Sequence, residues 1–198
     1  MSIVLIGSTS GSITLQEPAV SGSTVLTLPA VTGTVLTTTS PKAGNVIQVV
    51  NVGYGTYTEI TSTTYTDTGL SASITPSSSS NKILVVVSQS VNPVGGASVG
   101  YGFQVTSGVR LLRGATALIT PDSDSGGKYS TGYSTGAAPS SGYLAQWTIV
   151  SMNYLDSPAT TSSVTYKTQC AKGTSGMGTV YVNYPAGGSY ITLMEIAA

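Results

Sequence analysis

The chain reads as all-β: a jelly-roll or β-sandwich domain preceded by an extended N-terminal arm of short β repeats. Three observations predict this. β-branched and apolar residues alternate with Ser and Thr in short runs, clusters of Gly, Pro, Asn and Ser separate the runs, and a Pro-Ala-Val-(Ser/Thr)-Gly phrase returns near the start. No stretch carries a convincing helical pattern.

The arm comes first. Residues 11–22 read GSITLQEPAVSG, residues 23–33 read STVLTLPAVTG, and residues 34–37 begin the phrase again. Each unit is one alternating strand, Ile13 to Leu15 or Val25 to Leu28, stopped by a proline and turned by a glycine. Units this small bury no apolar face alone, and so few of them make no self-sufficient solenoid. The arm is therefore expected to find its core on another chain, with Ile13, Leu15, Val25, Leu26 and Leu28 as apolar anchors on a sheet edge or a symmetry mate. Breakers mixed with β-formers in residues 37–44, together with the first positive charge, Lys42, place the boundary at 44.

Residues 45–198 form the domain. Strands are predicted at 46–52, 56–66, 82–91, 99–106, 109–119, 143–154, 163–170, 179–184 and 190–196. Turn chemistry fills the gaps, as in Asn92-Pro93-Val94-Gly95-Gly96 and Asp156-Ser157-Pro158-Ala159. The longest irregular stretch is 120–142, and its Asp122, Asp124, Tyr129 and Tyr133 form the candidate ligand loop. Strands in this number without intervening helices favour a two-sheet sandwich or jelly roll.

Composition narrows the chemistry. Seven basic and seven acidic residues cancel, and 7% charged residues leaves Ser, Thr and Gly to solvate the surface. With no histidine the chain lacks the commonest general base, metal ligand and partner of a nucleophilic serine. Gly132-Tyr133-Ser134-Thr135-Gly136 fits the spacing of a nucleophile elbow but lacks the strand-to-helix turn and the histidine. Asp122-Ser123-Asp124-Ser125-Gly126 resembles half of a calcium loop without its bidentate glutamate, and reads as a solvated loop. The remaining carboxylates are scattered. No catalytic residue, metal or cofactor is expected, and two carboxylates in a shared cleft are the one enzymatic route left open.

Single residues carry weaker signals. Cys170, the only cysteine, sits at strand alternation and is expected to be buried and inert. Gly53-Tyr54-Gly55 and Gly100-Tyr101-Gly102 lack the rest of a dinucleotide fingerprint and read as bulges or close approaches. Arg110 and Arg113 make no basic field for nucleic acid and are expected to pair with acids of a neighbouring subunit. Trp147 is placed in a strand, in the core or at a subunit contact. Tyrosines 54, 57, 65, 101, 129, 133 and 143 lie near glycines or in loops, where rigid rings with polar tips suit interfaces and sugars; sheets also favour tyrosine on their own account. The N-terminus lacks a basic leader, and the longest aliphatic run is Ile83 to Val87, so synthesis in a cytosol without membrane insertion is expected.

Residues 7–36 resemble the N-terminal segments of tailed-phage virion proteins, in which phrases like ITL, LTLPA and TG recur. The phrases TEITSTTYTDTGLSASITPSSSSNKILVVVSQ, NYLDSPATTSSVTYKTQ and YITLMEIA resemble a domain of phage fibre and decoration proteins, notably marine and cyanobacterial ones. This resemblance implies a trimeric jelly roll of the C1q and tumour-necrosis-factor type on a virion surface, made in the host cytoplasm, and supplies no catalytic residue. It implies partners among the major capsid or tail proteins. A capsid decoration (cement) protein that stabilises the head is the first expectation, since about 44 residues must serve as anchor and shaft together. The alternative is a short tail fibre that binds a host surface glycan through its tyrosine-bearing loops.

Overall fold

A computed structural model describes residues 2–6, 12–16, 41–96, 103–121, 130–135, 143–173, 178–184 and 187–198. The chain divides into two compact units, Met1–Leu36 and Thr37–Ala198. In the first, β1 (Ser2–Ile6) pairs antiparallel with β2 (Ser12–Gln16), setting Ile13 opposite Leu5 and Leu15 opposite Ile3. The first strand of the repeat thus has a partner in the residues that precede it. Val25, Leu26 and Leu28 lie outside the described residues.

The strands of the second unit are β3 (Val46–Tyr54), β4 (Thr58–Ile60), β5 (Thr66–Ile74), β6 (Lys82–Gly96), β7 (Phe103–Arg113) and β8 (Thr116–Ile119). They continue with β9 (Thr131–Thr135), β10 (Tyr143–Ala145), β11 (Thr148–Asp156), β12 (Val164–Lys172), β13 (Val180–Val182) and β14 (Ser189–Ile196). No helix occurs among the described residues. One sheet runs β3-β14-β6-β11, and its far end is extended by β10, β13 and β4 along the second half of β6. The other runs β5-β12-β7-β8, with β9 on the start of β7. Counting β3, β5, β6, β7, β8, β11, β12 and β14 as strands one to eight, the orders are 1-8-3-6 and 2-7-4-5, which is the connectivity of a jelly roll. The expected all-β sandwich is the fold.

Period-two alternation builds the core between the sheets. Ile83, Val85 and Val87 of β6 and Ile191 and Leu193 of β14 point inward from one sheet, facing Leu70, Ile74, Val109 and Leu111 from the other. Each such side chain, at most 2% exposed, contributes about 1.5–3 kcal/mol by leaving water.

Several predicted boundaries are corrected. Of the strands expected over 99–106 and 109–119, residues 99–102 lie outside the described residues, and the rest are not divided at Gly108: β7 runs through it, because Gly108 faces Ala171 in an unbroken ladder, and the turn falls at Gly114, where φ is +57°. Of the strand expected over 56–66, residues 58–60 form β4 and Thr66 opens β5, a strand the sequence pattern does not mark. The strand expected over 143–154 is broken at Gln146 and Trp147. Within the stretch read as irregular, residues 131–135 form β9.

Gly69, inside β5, has φ of +91°, and a Cβ there would overlap the ring of Tyr54 from the facing sheet. Within the Gly53-Tyr54-Gly55 phrase, a Cβ at Gly53 would come within 3.0 Å of the Tyr190 ring, whereas Gly55 has open space around it. Gly69→Ala is expected to destabilise the domain by roughly 2 kcal/mol, from backbone strain plus displacement of the ring. Urea unfolding checks this, and in a Tyr54→Ala background the loss should fall by about half, leaving the backbone part.

Candidate functional site

Of the candidate ligand loop, Asp122, Asp124 and Tyr129 lie outside the described residues, and Tyr133 sits on β9 opposite Val105. Ser134 is likewise mid-strand, opposite Gln104, so the nucleophile-elbow spacing does not fall on a strand-to-helix turn. Cys170 is fully buried and burial pushes its thiol up to about 12, which leaves it protonated and unreactive at neutral pH. Arg113 finds its acid within the chain and not on a neighbouring subunit. Arg113 points inward to Asp156 within the chain, and Arg110 points outward, donating to Gln169 while lying 4.2 Å from the Tyr65 ring centroid. Trp147 is neither in a strand nor in the core: it sits in the two-residue link between β10 and β11, 63% exposed, with its indole N–H within reach of Asn92.

The outer faces of the two sheets differ in chemistry. On the β5-β12-β7 face a polar row crosses the strands. Arg110 binds Gln169, whose amide donates to Asp67 at 2.7 Å, and Lys167 reaches the same carboxylate at 2.9 Å. The Lys167 ammonium holds Asp67 below the usual carboxylate range, against the pull of partial burial and with help from Gln169. On the other face Val49, Met194, Leu84 and Leu155 stand side by side across β3, β14, β6 and β11. Val49 and Leu155 are more than half exposed, and Ile149, Tyr190 and Val86 extend the exposed apolar surface on the same sheet.

A second feature lies where β4, β13 and the segment after β13 meet. The rings of Tyr57, Tyr181 and Tyr184 have centroids 5.4–5.6 Å apart and are tilted by 38–56° to one another. β4 pairs with β13 and sets Glu59 opposite Tyr181, which brings Tyr57, just before β4, to Tyr184, just after β13. The Tyr57 hydroxyl donates to Glu59 at 2.5 Å. Contact with its neighbours, and then the Glu59 carboxylate, push that hydroxyl's pKa well up. Tyr57 and Tyr184 remain 44% and 43% exposed.

A buried hydrogen-bonded chain holds this corner. Thr68 and Thr168 share a 2.6 Å contact, Thr168 donates to the Gln89 carbonyl at 2.7 Å, and the Gln89 amide donates to Ser189 at 2.6 Å. Ser189 donates to Asn183, whose amide donates to the backbone carbonyl of Thr56 at 3.1 Å. The chain thus crosses the sandwich from β5 and β12 through β6 to the residues directly before Tyr57 and Tyr184. Asn183 has φ of +60°, one of two non-glycine residues with positive φ among the described ones. Such strain persists only where the surroundings over-determine it, as these bonds do.

Sequence reasoning did not single out this trio. Tyr57 lies in a glycine-flanked stretch and Tyr181 inside a short strand, and only the β4–β13 pairing joins them. Compared with known proteins, the chain matches no family model and no curated protein.

Proposed function

We propose that this chain is a non-enzymatic structural protein of a phage virion surface, a decoration subunit that assembles as a homotrimer and attaches through its arm. The observation that carries the reading is the row Val49, Met194, Leu84 and Leu155, an apolar stripe across the outer face of one sheet, while the opposite face carries a charged and amide network. An apolar face of this kind is covered in an assembly. The resemblance of the arm to phage virion segments supports the virion setting, and the jelly-roll connectivity supports the trimer.

Light scattering is expected to give three times the 19.9 kDa chain mass at micromolar concentration. Leu84→Glu with Leu155→Lys should give the single-chain mass with the sheet signature in circular dichroism intact, since both side chains point away from the core. A monomeric wild type would overturn the assembly reading. For the virion setting, gold-labelled antibody against residues 45–198 should decorate heads of purified particles. Label confined to tails would favour the second reading, a short tail fibre, which the exposed tyrosines on their rigid support also suit.

A further inference from the structure

We propose that the tyrosine trio is a binding site for a quaternary ammonium head group of the choline type, seated over Tyr57, Tyr181 and Tyr184 beside the carboxylate of Glu59. Aromatic faces carry negative partial charge, and a cation within about 6 Å of a ring centroid is attracted to it. The three centroids form a nearly equilateral triangle with sides of 5.4–5.6 Å, so one cation above its middle lies within that reach of all three rings.

Charge points the same way. Glu59 is exposed and places a formal negative charge at the edge of the rings, with one carboxylate oxygen accepting from Tyr57. The electrostatic neighbours of the Tyr57 hydroxyl, namely Glu59, Tyr181 and Tyr184, all act to raise its pKa, whereas Tyr65 and Tyr166 each feel an arginine that lowers theirs. The ring of Tyr65 already has its cation, Arg110. The trio has the same electron-rich faces with an added acid.

Shape separates this ligand from a sugar. Tilts of 38–56° keep the three rings from lying in one plane, so they offer no flat platform for a pyranose and suit a compact, roughly spherical head better. Preorganisation adds to this. Asn183 is bonded to Ser189 and to the Thr56 carbonyl, so the residues flanking Tyr57 and Tyr184 are fixed from the core side and little ordering remains to be done on binding.

The test is a titration of the full chain followed by NMR of the tyrosine ring protons and by calorimetry. Choline should bind with a dissociation constant in the millimolar range or tighter, and at least about tenfold better than its uncharged isostere 3,3-dimethylbutan-1-ol. Tyr184→Ala and Glu59→Gln should each weaken choline roughly five- to tenfold while the sheet signature in circular dichroism stays intact, because neither side chain lies in the core. Equal binding of choline and the isostere, tighter binding of methyl glucopyranoside, or no ring shift at about 50 mM choline would each overturn the proposal. The site stands apart from the virion reading: choline binding by a chain that scatters light as a monomer would uphold the one and overturn the trimer.

Discussion

Asp156→Ala should remove about 3–5 kcal/mol of stability, the range for stripping one partner from a buried charge pair, and lower Tm by roughly 10–15 °C in a domain of this size. Asp156 ends β11, in one sheet, and is 5% exposed. Both of its oxygens lie 2.9 Å from Nη1 of Arg113 on β7, and one also accepts the Tyr166 hydroxyl of β12 at 2.7 Å, so a single carboxylate ties the two sheets together. Arg113 retains some access to water, with 31% of its side chain exposed. Tyr166 has none. Burial, and then the Asp156 charge, push its hydroxyl far up, and without Asp156 that group is left unpaired in the core. Tyr166→Phe alone should therefore cost about 1–2 kcal/mol, and in the Asp156→Ala background much less. Guanidinium unfolding of the two singles and the double measures the coupling, and additive losses would show that the hydroxyl does not depend on the carboxylate.

Acid is expected to remove the stability that Glu195 contributes. This carboxylate is fully buried on β14 and accepts from Gln48, from Asn81 and from both the backbone N–H and the hydroxyl of Ser77, at 2.6–2.8 Å. Burial by itself would raise its pKa, but donation from Asn81, Gln48 and Ser77 outweighs that and holds it below the ordinary 4.5. A carboxylate whose folded value is depressed contributes stability that is fully present above its unfolded value, and that is lost as pH falls through the folded one. Wild-type stability should thus be flat with respect to this group above about pH 5 and decline below about pH 4.5. Glu195→Gln should cost about 2–4 kcal/mol at pH 7, because an amide offers one acceptor oxygen and brings two unwanted donors against Gln48 and Asn81. The difference between variant and wild type, followed by urea unfolding from pH 7 to pH 3, should narrow as the pH drops. A gap that stays constant to pH 3 would mean that Glu195 keeps its charge throughout and does not contribute to acid lability.

The strands readable in the sequence were those whose inward positions are β-branched or large. Residues 46–52, 82–91 and 190–196 alternate strongly, and all three became long strands of one sheet. β5 escaped notice because its inward positions are Thr68, Leu70, Ala72 and Ile74, while Asp67, Gly69 and Ser71 on its outer side look like turn residues. Gly69 is there for the Tyr54 ring, a reason that lies on another strand. Local geometry separates the two arginines. An odd spacing along a strand puts Arg110 and Arg113 on opposite faces, so they could not form one basic pair, and the inner one required an acid inside the fold. The tyrosine trio was out of reach for a different reason: Tyr57 meets Tyr181 and Tyr184 only through pairing between two three-residue strands, and strands so short give almost no periodic signal.

The buried chain from Thr68 to Thr56 has a direction. Gln89 can accept only at its carbonyl and donate only at its amide, so Thr168 must give its proton to Gln89, and Thr68 must give its own to Thr168. Ser189 receives from Gln89 and from the Ser90 N–H and passes its proton to Asn183. Every hydroxyl spends its one proton in the same sense, toward the tyrosines. A one-way circuit of this kind has no tolerance for a reversed link. Glutamate in place of Gln89 keeps the volume, yet it would oblige Ser189 to turn its proton back and leave Asn183 facing an acceptor with nothing to share. A solitary exchange in the middle of the sandwich should accordingly be felt at its aromatic corner.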